Sequence, residues 1–430
     1  MLLTNIQNNF RTMARYMAML CAFGIPWSNG FFNVGFYLMM TCFILSLNYR
    51  FNWREIITTP AVIIALTLFT YILIRTIFSS APWDIGRPDL FNYRKLLAIP
   101  VFVCLFTNTP HKRQLAVSYC LGVCVLMLPT LIDGFGYANV IEHLSFFRKN
   151  AAYLLSEQGA PNLVYWRNQI VHGFHVAVLF SACIFGAFYF KKYKLPLITI
   201  ALLCATDLLF FIYGRMALLS LFFALGVIAV MVLNSKKHMA FFIISLTLVA
   251  MTAYVTLPTV KVRLSSIQSE TTKYFSNEDL TVSAGQRLHF WKVSWKLFEE
   301  APIFGVGSGF KYQLKMINDP LSKYNYGHTH NEYLTQLSLY GLVGFALLIS
   351  IIIITLKNSR KIEDRWLANL TTTAVCIFCL NALTDSSLHN DWEGWTFVLF
   401  ASIACVNIAP RHHQKSQDTS PDRAIASNTL

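Results

Sequence analysis

The feature that most constrains this chain is the recurrence, along nearly its whole length, of apolar runs long enough to cross a bilayer, separated by short polar breaks. A hydrocarbon core of about 30 Å takes roughly 20 residues of helix. Lipid offers no partner to an unpaired backbone amide, so each run reads as a helix rather than a strand. An outer-membrane barrel would show alternating segments of about ten residues instead. Composition agrees: 55% of the 430 residues are hydrophobic and only 13% are charged, more apolar sequence than a soluble core requires. The expected fold class is an all-α polytopic membrane protein.

About twelve spans follow, at 12–28, 31–48, 60–78, 93–107, 113–132, 169–190, 195–212, 215–234, 239–257, 331–356, 365–384 and 394–409. Charge orients them. With a cytoplasmic N-terminus the inner loops hold Arg11/Arg15, Arg50/Arg54, Lys112/Arg113, Lys191/Lys192/Lys194, Lys236/Lys237, Lys357/Arg360/Lys361/Arg365 and the tail from Arg411, whereas the short outer turns at 28–30 and 385–393 hold no Lys or Arg. The net charge of +14 is thus a topology signal rather than a nucleic-acid surface. The ten cysteines fall in or beside apolar runs, where they act as small apolar residues and imply neither a disulfide framework nor zinc.

This orientation organises the chain as spans in 1–257 with an outer loop near 133–168, a large outer loop at 258–330, spans in 331–409, and a polar tail at 410–430 expected to be disordered. In the large loop, Gln286 to Phe298 places Leu288, Trp291, Trp295 and Phe298 roughly on one face, as in a helix lying on a membrane or roofing a cavity. The glycines of Pro302-Ile303-Phe304-Gly305-Val306-Gly307-Ser308-Gly309 lack a following Gly-Lys-Ser/Thr, so a flexible turn is expected there rather than a nucleotide loop.

The polar loop turns back into apolar sequence at Tyr326-Gly327-His328-Thr329-His330-Asn331-Glu332-Tyr333-Leu334. Here Asn331 can cap the next helix and the histidines can merely line a wet interface. Alternatively, a helix N-terminus disfavours an imidazolium and keeps a histidine able to accept a proton. His-x-His can ligate zinc, but no third ligand stands at a recognisable spacing, so no metal is expected. Arg215, Arg287, Arg75 and Arg94/Lys95 lie on the outer side, against the inside bias. Each alone can snorkel to headgroups, while together they suit phosphate or diphosphate oxygens. Asp385, ending a span on that side, can meet water, pair with an arginine or orient a histidine.

The order Arg287-x-x-x-Trp291, Phe298, Pro302-x-x-Gly305-x-Gly307, His328-Thr329-His330-Asn331-Glu332-Tyr333-Leu334 and Gly341-x-x-Gly344 resembles the C-terminal signature of the O-antigen ligase/polymerase superfamily. For its ligase branch the resemblance implies an inner-membrane, GT-C-type glycosyltransferase working at the periplasmic face. It would move an O-antigen glycan from undecaprenyl diphosphate to the lipid A-core, with inversion and without nucleotide sugar, metal or other cofactor. By the same resemblance His330 matches the catalytic histidine, Arg215 and Arg287 the essential arginines, and Asp385 the late acidic residue. Asn331 and His328 are supporting, and Arg75, Arg94 and Lys95 enter as donor-binding residues from charge and placement alone. Rival readings are an O-antigen polymerase or protein O-oligosaccharyltransferase of the same superfamily and, from another class, a transporter of lipid-linked glycans.

Overall fold

The computed structural model describes residues 2–47, 59–106, 111–136, 168–212, 214–233, 235–256, 258–277, 280, 282–323 and 327–405. The tail at 410–430 and most of the loop near 133–168 lie outside the described residues. Within them all regular structure is helical: α1 (Leu2–Gly24), α2 (Asn29–Ser46), α3 (Pro60–Ile77), α4 (Trp83–Tyr93), α5 (Ala98–Phe106), α6 (Lys112–Gly134), α7 (Gln169–Tyr189), α8 (Lys194–Thr206), α9 (Arg215–Val232), α10 (Lys236–Thr256), α11 (Pro258–Asn277), α12 (Ser283–Glu300), α13 (Phe310–Met316), α14 (Glu332–Ser359), α15 (Arg365–Asn381) and α16 (Asp391–Ala404).

Among the described residues, eight helical stretches are long and apolar enough to cross a membrane: α2, α3, α6, α7, the Lys191–Phe211 stretch containing α8, α9, α10 and α14. The other four expected spans fall on shorter or more polar helices. The helix expected at 93–107 is corrected to a tight turn, Arg94–Leu97, followed by the nine residues of α5, about 14 Å of helix. Lys95, in that turn, has its side chain buried within the protein rather than at a membrane surface.

The apolar core is built around α7, most of which is buried and which packs on α8, α9 and α15. None of α10 is buried, which places it at the periphery. Near the site, α14 packs between α3 and α12, with α15 and α16 behind it. On α12 the buried face is Phe290, Val293 and Leu297, while Trp295 is half exposed. Of the face expected from Leu288, Trp291, Trp295 and Phe298, Leu288 and Trp291 line a cavity, while Trp295 is turned outward.

The glycine segment is not a flexible turn. It locks a break in α14. Gly341 adopts φ +66° inside that helix, ten residues past Asn331, or about 15 Å along the axis. Backbone groups freed by the break are taken up by the segment. Val306 N–H donates to Ser338 O (3.0 Å), Gly307 N–H to Leu339 O (2.9 Å), and Leu342 N–H to Pro302 O (2.9 Å). A Cβ on Gly305 or Gly341 would lie 2.3 Å from the opposing backbone, which explains glycine at both crossing points. Irregular backbone at such depth is tolerated where protein satisfies it.

Candidate active site

The site is built at the N-terminus of α14. Asn331 has extended backbone and caps the helix, its Oδ1 accepting from Leu334 N–H at 3.0 Å while its Nδ2 donates to Leu383 O at 2.9 Å. The cap thereby also ties α14 to the end of α15. Glu332, fully buried, accepts from the N–H groups of Leu388 and His389 (3.0 and 3.1 Å) and from Tyr93 Oη–H (2.9 Å). Lys95 grips the same loop from its carbonyl side, its Nζ donating to Leu388 O (3.1 Å) and Asn390 O (2.6 Å). A buried carboxylate and a buried ammonium, each meeting backbone groups, hold the 385–390 loop against α14.

That clamp sets Asp385 opposite His330. His330 takes the left-handed φ of +52°, a conformation rare outside glycine and concentrated at functional positions. Its Nδ1 lies 3.5 Å from Asp385 Oδ1, with 27% of the imidazole and 5% of the carboxylate side chain exposed. Phe290 backs the ring, with centroids 5.8 Å apart. His328 lies edge-on to it at 4.3 Å, and His328 Nδ1 accepts the His330 backbone N–H at 3.3 Å.

Burial, and then the neighbouring imidazoles of His330 and His389, push His328 down to about 3, so it stays neutral. Burial alone would raise Asp385, but contact with His330, the charges of His328 and His330, and the Ser386 N–H hold it below the ordinary carboxylate range. The pair can therefore supply an oriented imidazole next to a carboxylate.

Asp385 also corrects the expectation that the histidine pair lacks a third ligand. Ligand atoms of His328, His330 and Asp385 lie within 4.8 Å of one another, a group able to hold a metal ion.

Arg215 and Arg287 meet in one cavity of about 560 Å³. Its walls are apolar, including Leu218, Phe222, Leu264 and Trp291, and Thr384, the neighbour of Asp385, lines it as well. Arg215 opens α9, and its Nη2 donates to both Glu270 oxygens at 2.7 and 2.9 Å. Arg287 has no hydrogen bond or ion pair to another described residue. Burial lowers its pKa, and the charge of Asp385 partly restores it.

The remaining predicted donor residues do other work. Lys95 is 0% exposed and cannot meet a donor, which removes it from that set. Arg75 donates to Gly305 O at 2.7 Å and so braces the glycine segment on α14, and Arg94 turns back to Phe91. Sequence reasoning missed Glu270, Glu332, and the pair of His389 Nε2 with Asp89 Oδ1 at 3.2 Å. Glu332 and His389 were signalled by adjacency, one following Asn331 and the other four residues beyond Asp385. Glu270 had no local signal, since it stands among Gln268, Ser269 and Lys273 in a polar helix.

Residues 200–349 match the family model described as O-antigen ligase. That stretch contains Arg215, Glu270, Arg287, His328, His330 and Asn331, and ends before Asp385. An uncharacterised protein of Haemophilus influenzae (strain Rd) is 30% identical over 149 residues, which cover 33% of this chain. The match spans only 37% of that relative's length. The matched stretch, which carries the arginines of the cavity and both histidines, is thus similar to the O-antigen ligase family over about a third of the chain.

Proposed function

We propose that this protein is an O-antigen ligase, transferring O-antigen glycan from undecaprenyl diphosphate to a hydroxyl of the lipid A-core at the periplasmic face of the bacterial inner membrane. The observation that carries this reading is the joining of His330–Asp385, through Thr384, to an apolar cavity holding Arg215 and Arg287. The cavity suits a polyprenyl chain, the guanidinium groups suit its diphosphate, and the imidazole suits a sugar hydroxyl.

In the proposed step His330 takes the proton of the acceptor hydroxyl as its oxygen attacks the anomeric carbon from the face opposite the leaving group. The bond from that carbon to the phosphate oxygen breaks, and undecaprenyl diphosphate departs with the electron pair. The products are the inverted glycoside and a protonated His330. Asp385 orients the imidazole and offsets its positive charge, while Arg215 and Arg287 stabilise the charge gathering on the diphosphate. Guanidinium groups in this role make the step metal-independent, and no cofactor is required.

Purified protein given lipid-linked glycan with and without lipid A-core tests the assignment. Product that forms only with the core is expected. Longer lipid-linked chains formed without it would instead identify a polymerase. Chelator should leave transfer intact, and loss of activity restored by a divalent ion would assign the His328/His330/Asp385 group to metal chemistry.

A further inference from the structure

The seat assigned above to the diphosphate already holds an anion. Glu270, on α11, lies with both carboxylate oxygens on Arg215 Nη2 (2.7 and 2.9 Å), and its Oε2 also accepts the Ala284 N–H in the first turn of α12 at 2.9 Å. The pair is largely buried, with side-chain exposures of 27% for Arg215 and 17% for Glu270, so water screens it less than a surface ion pair. Arg287, three residues after Ala284 on the same helix, lines the same cavity.

We propose that Glu270 is a specificity-determining residue that selects donors by counting charge: it keeps singly charged phospholipid headgroups off Arg215 and gives way to the doubly charged diphosphate. The proposal rests on the reading that Arg215 and Arg287 form the diphosphate seat. A bilayer presents phosphodiester lipids in large excess over any lipid-linked sugar, and an arginine at the end of an apolar cavity would suit their headgroup and tail. A monoanion displacing Glu270 exchanges one negative charge for another at Arg215 and strips the carboxylate of its guanidinium. That exchange yields little. A diphosphate diester brings two charges, so one phosphate replaces the carboxylate on Arg215 while the second meets Arg287. Only the second exchange gains Coulomb energy across the seat.

The full chain, in nanodiscs of phosphatidylcholine or with increasing phosphatidylglycerol, can be titrated with a radiolabelled geranylgeranyl diphosphate linked to N-acetylglucosamine, a diphosphate diester with two negative charges. Wild-type affinity is expected to be insensitive to phosphatidylglycerol. Glu270→Gln should bind at least as tightly as wild type in phosphatidylcholine and weaken by about tenfold as phosphatidylglycerol is added, with Glu270→Asp restoring the insensitivity. A Gln variant as insensitive as wild type would overturn the filter. So would a folded Gln variant that has already lost binding in phosphatidylcholine, because Glu270 would then serve only to support Arg215. Equal binding by wild type, Arg215→Ala and Arg287→Ala, or no binding by wild type in either disc, would overturn the diphosphate seat itself and is distinguishable from failure of the filter.

Discussion

His330–Asp385 and His172–Asp207 are built from the same residue types and stand in opposite surroundings. The second lies inside the helix bundle: His172 on α7 meets Asp207 at 2.9 Å, with side-chain exposures of 1% and 0%. The other Asp207 oxygen accepts from Thr130 on α6 at 2.7 Å, and its backbone carbonyl receives Ile212 N–H at 3.0 Å, widening the turn that leads to Gly214 and Arg215. Each oxygen of that carboxylate is committed, and three elements are fixed by it. His330–Asp385 is looser at 3.5 Å, and its imidazole is 27% exposed. A long contact beside an open face is what a base needs before substrate arrives, since catalytic hydrogen bonds often tighten only in the complex. Tightness and burial thus mark the pair that holds the fold, and slack marks the pair proposed to react.

The sharpest way to break this contrast is to exchange each histidine for glutamine. His330→Gln should lower transfer by about 10²–10⁴-fold, the range of a lost general base, while a polyprenyl diphosphate still binds and the melting temperature barely moves. His172→Gln should do the reverse, keeping most transfer per folded molecule and losing stability by about 1–3 kcal/mol. Equal kinetic damage from His172→Gln at unchanged stability would erase the distinction.

Next in size is removal of whole pairs. Replacing His172 and Asp207 together with apolar residues of similar volume should cost less stability than either single replacement, because no buried polar group is left unpaired. The same treatment of His330 and Asp385 should abolish transfer however well the variant folds. Thermal unfolding and single-turnover transfer, measured on the same preparations, read both outcomes.

The smallest effect is in pH. His328 is pushed down to about 3 from an ordinary 6.5, so above about pH 6.5 it is neutral both folded and unfolded. Below that the unfolded chain takes up a proton that the folded site refuses, and stability is lost progressively as pH falls toward 3. Asp385, held below its ordinary value, loses its contribution in the same direction, through its own folded pKa. Melting temperature should fall by roughly a few degrees on acidification, and His328→Gln should flatten that slope. An unchanged slope in the variant would remove His328 as its source.

Membership of the helical membrane class, the position of most helices and the capping role of Asn331 were readable from the chain, whereas His330, Arg215, Arg287 and Asp385 were singled out by a family resemblance. The former depend on local apolar length, on the sign of charge in short loops, and on residues a few positions apart. Tertiary structure decided the rest. Lys95 and Glu332 are charged residues that any hydropathy reading sends to water, yet each is buried against backbone groups of the 388–390 loop. The glycines of 302–309 read as slack until the break at Gly341 supplies backbone groups for them to satisfy. Glu270 stands 55 residues from Arg215, and Asp385 comes from a different helix end than His330. Such pairings arise from how helices pack, and no local pattern records which distant charge will be brought to which.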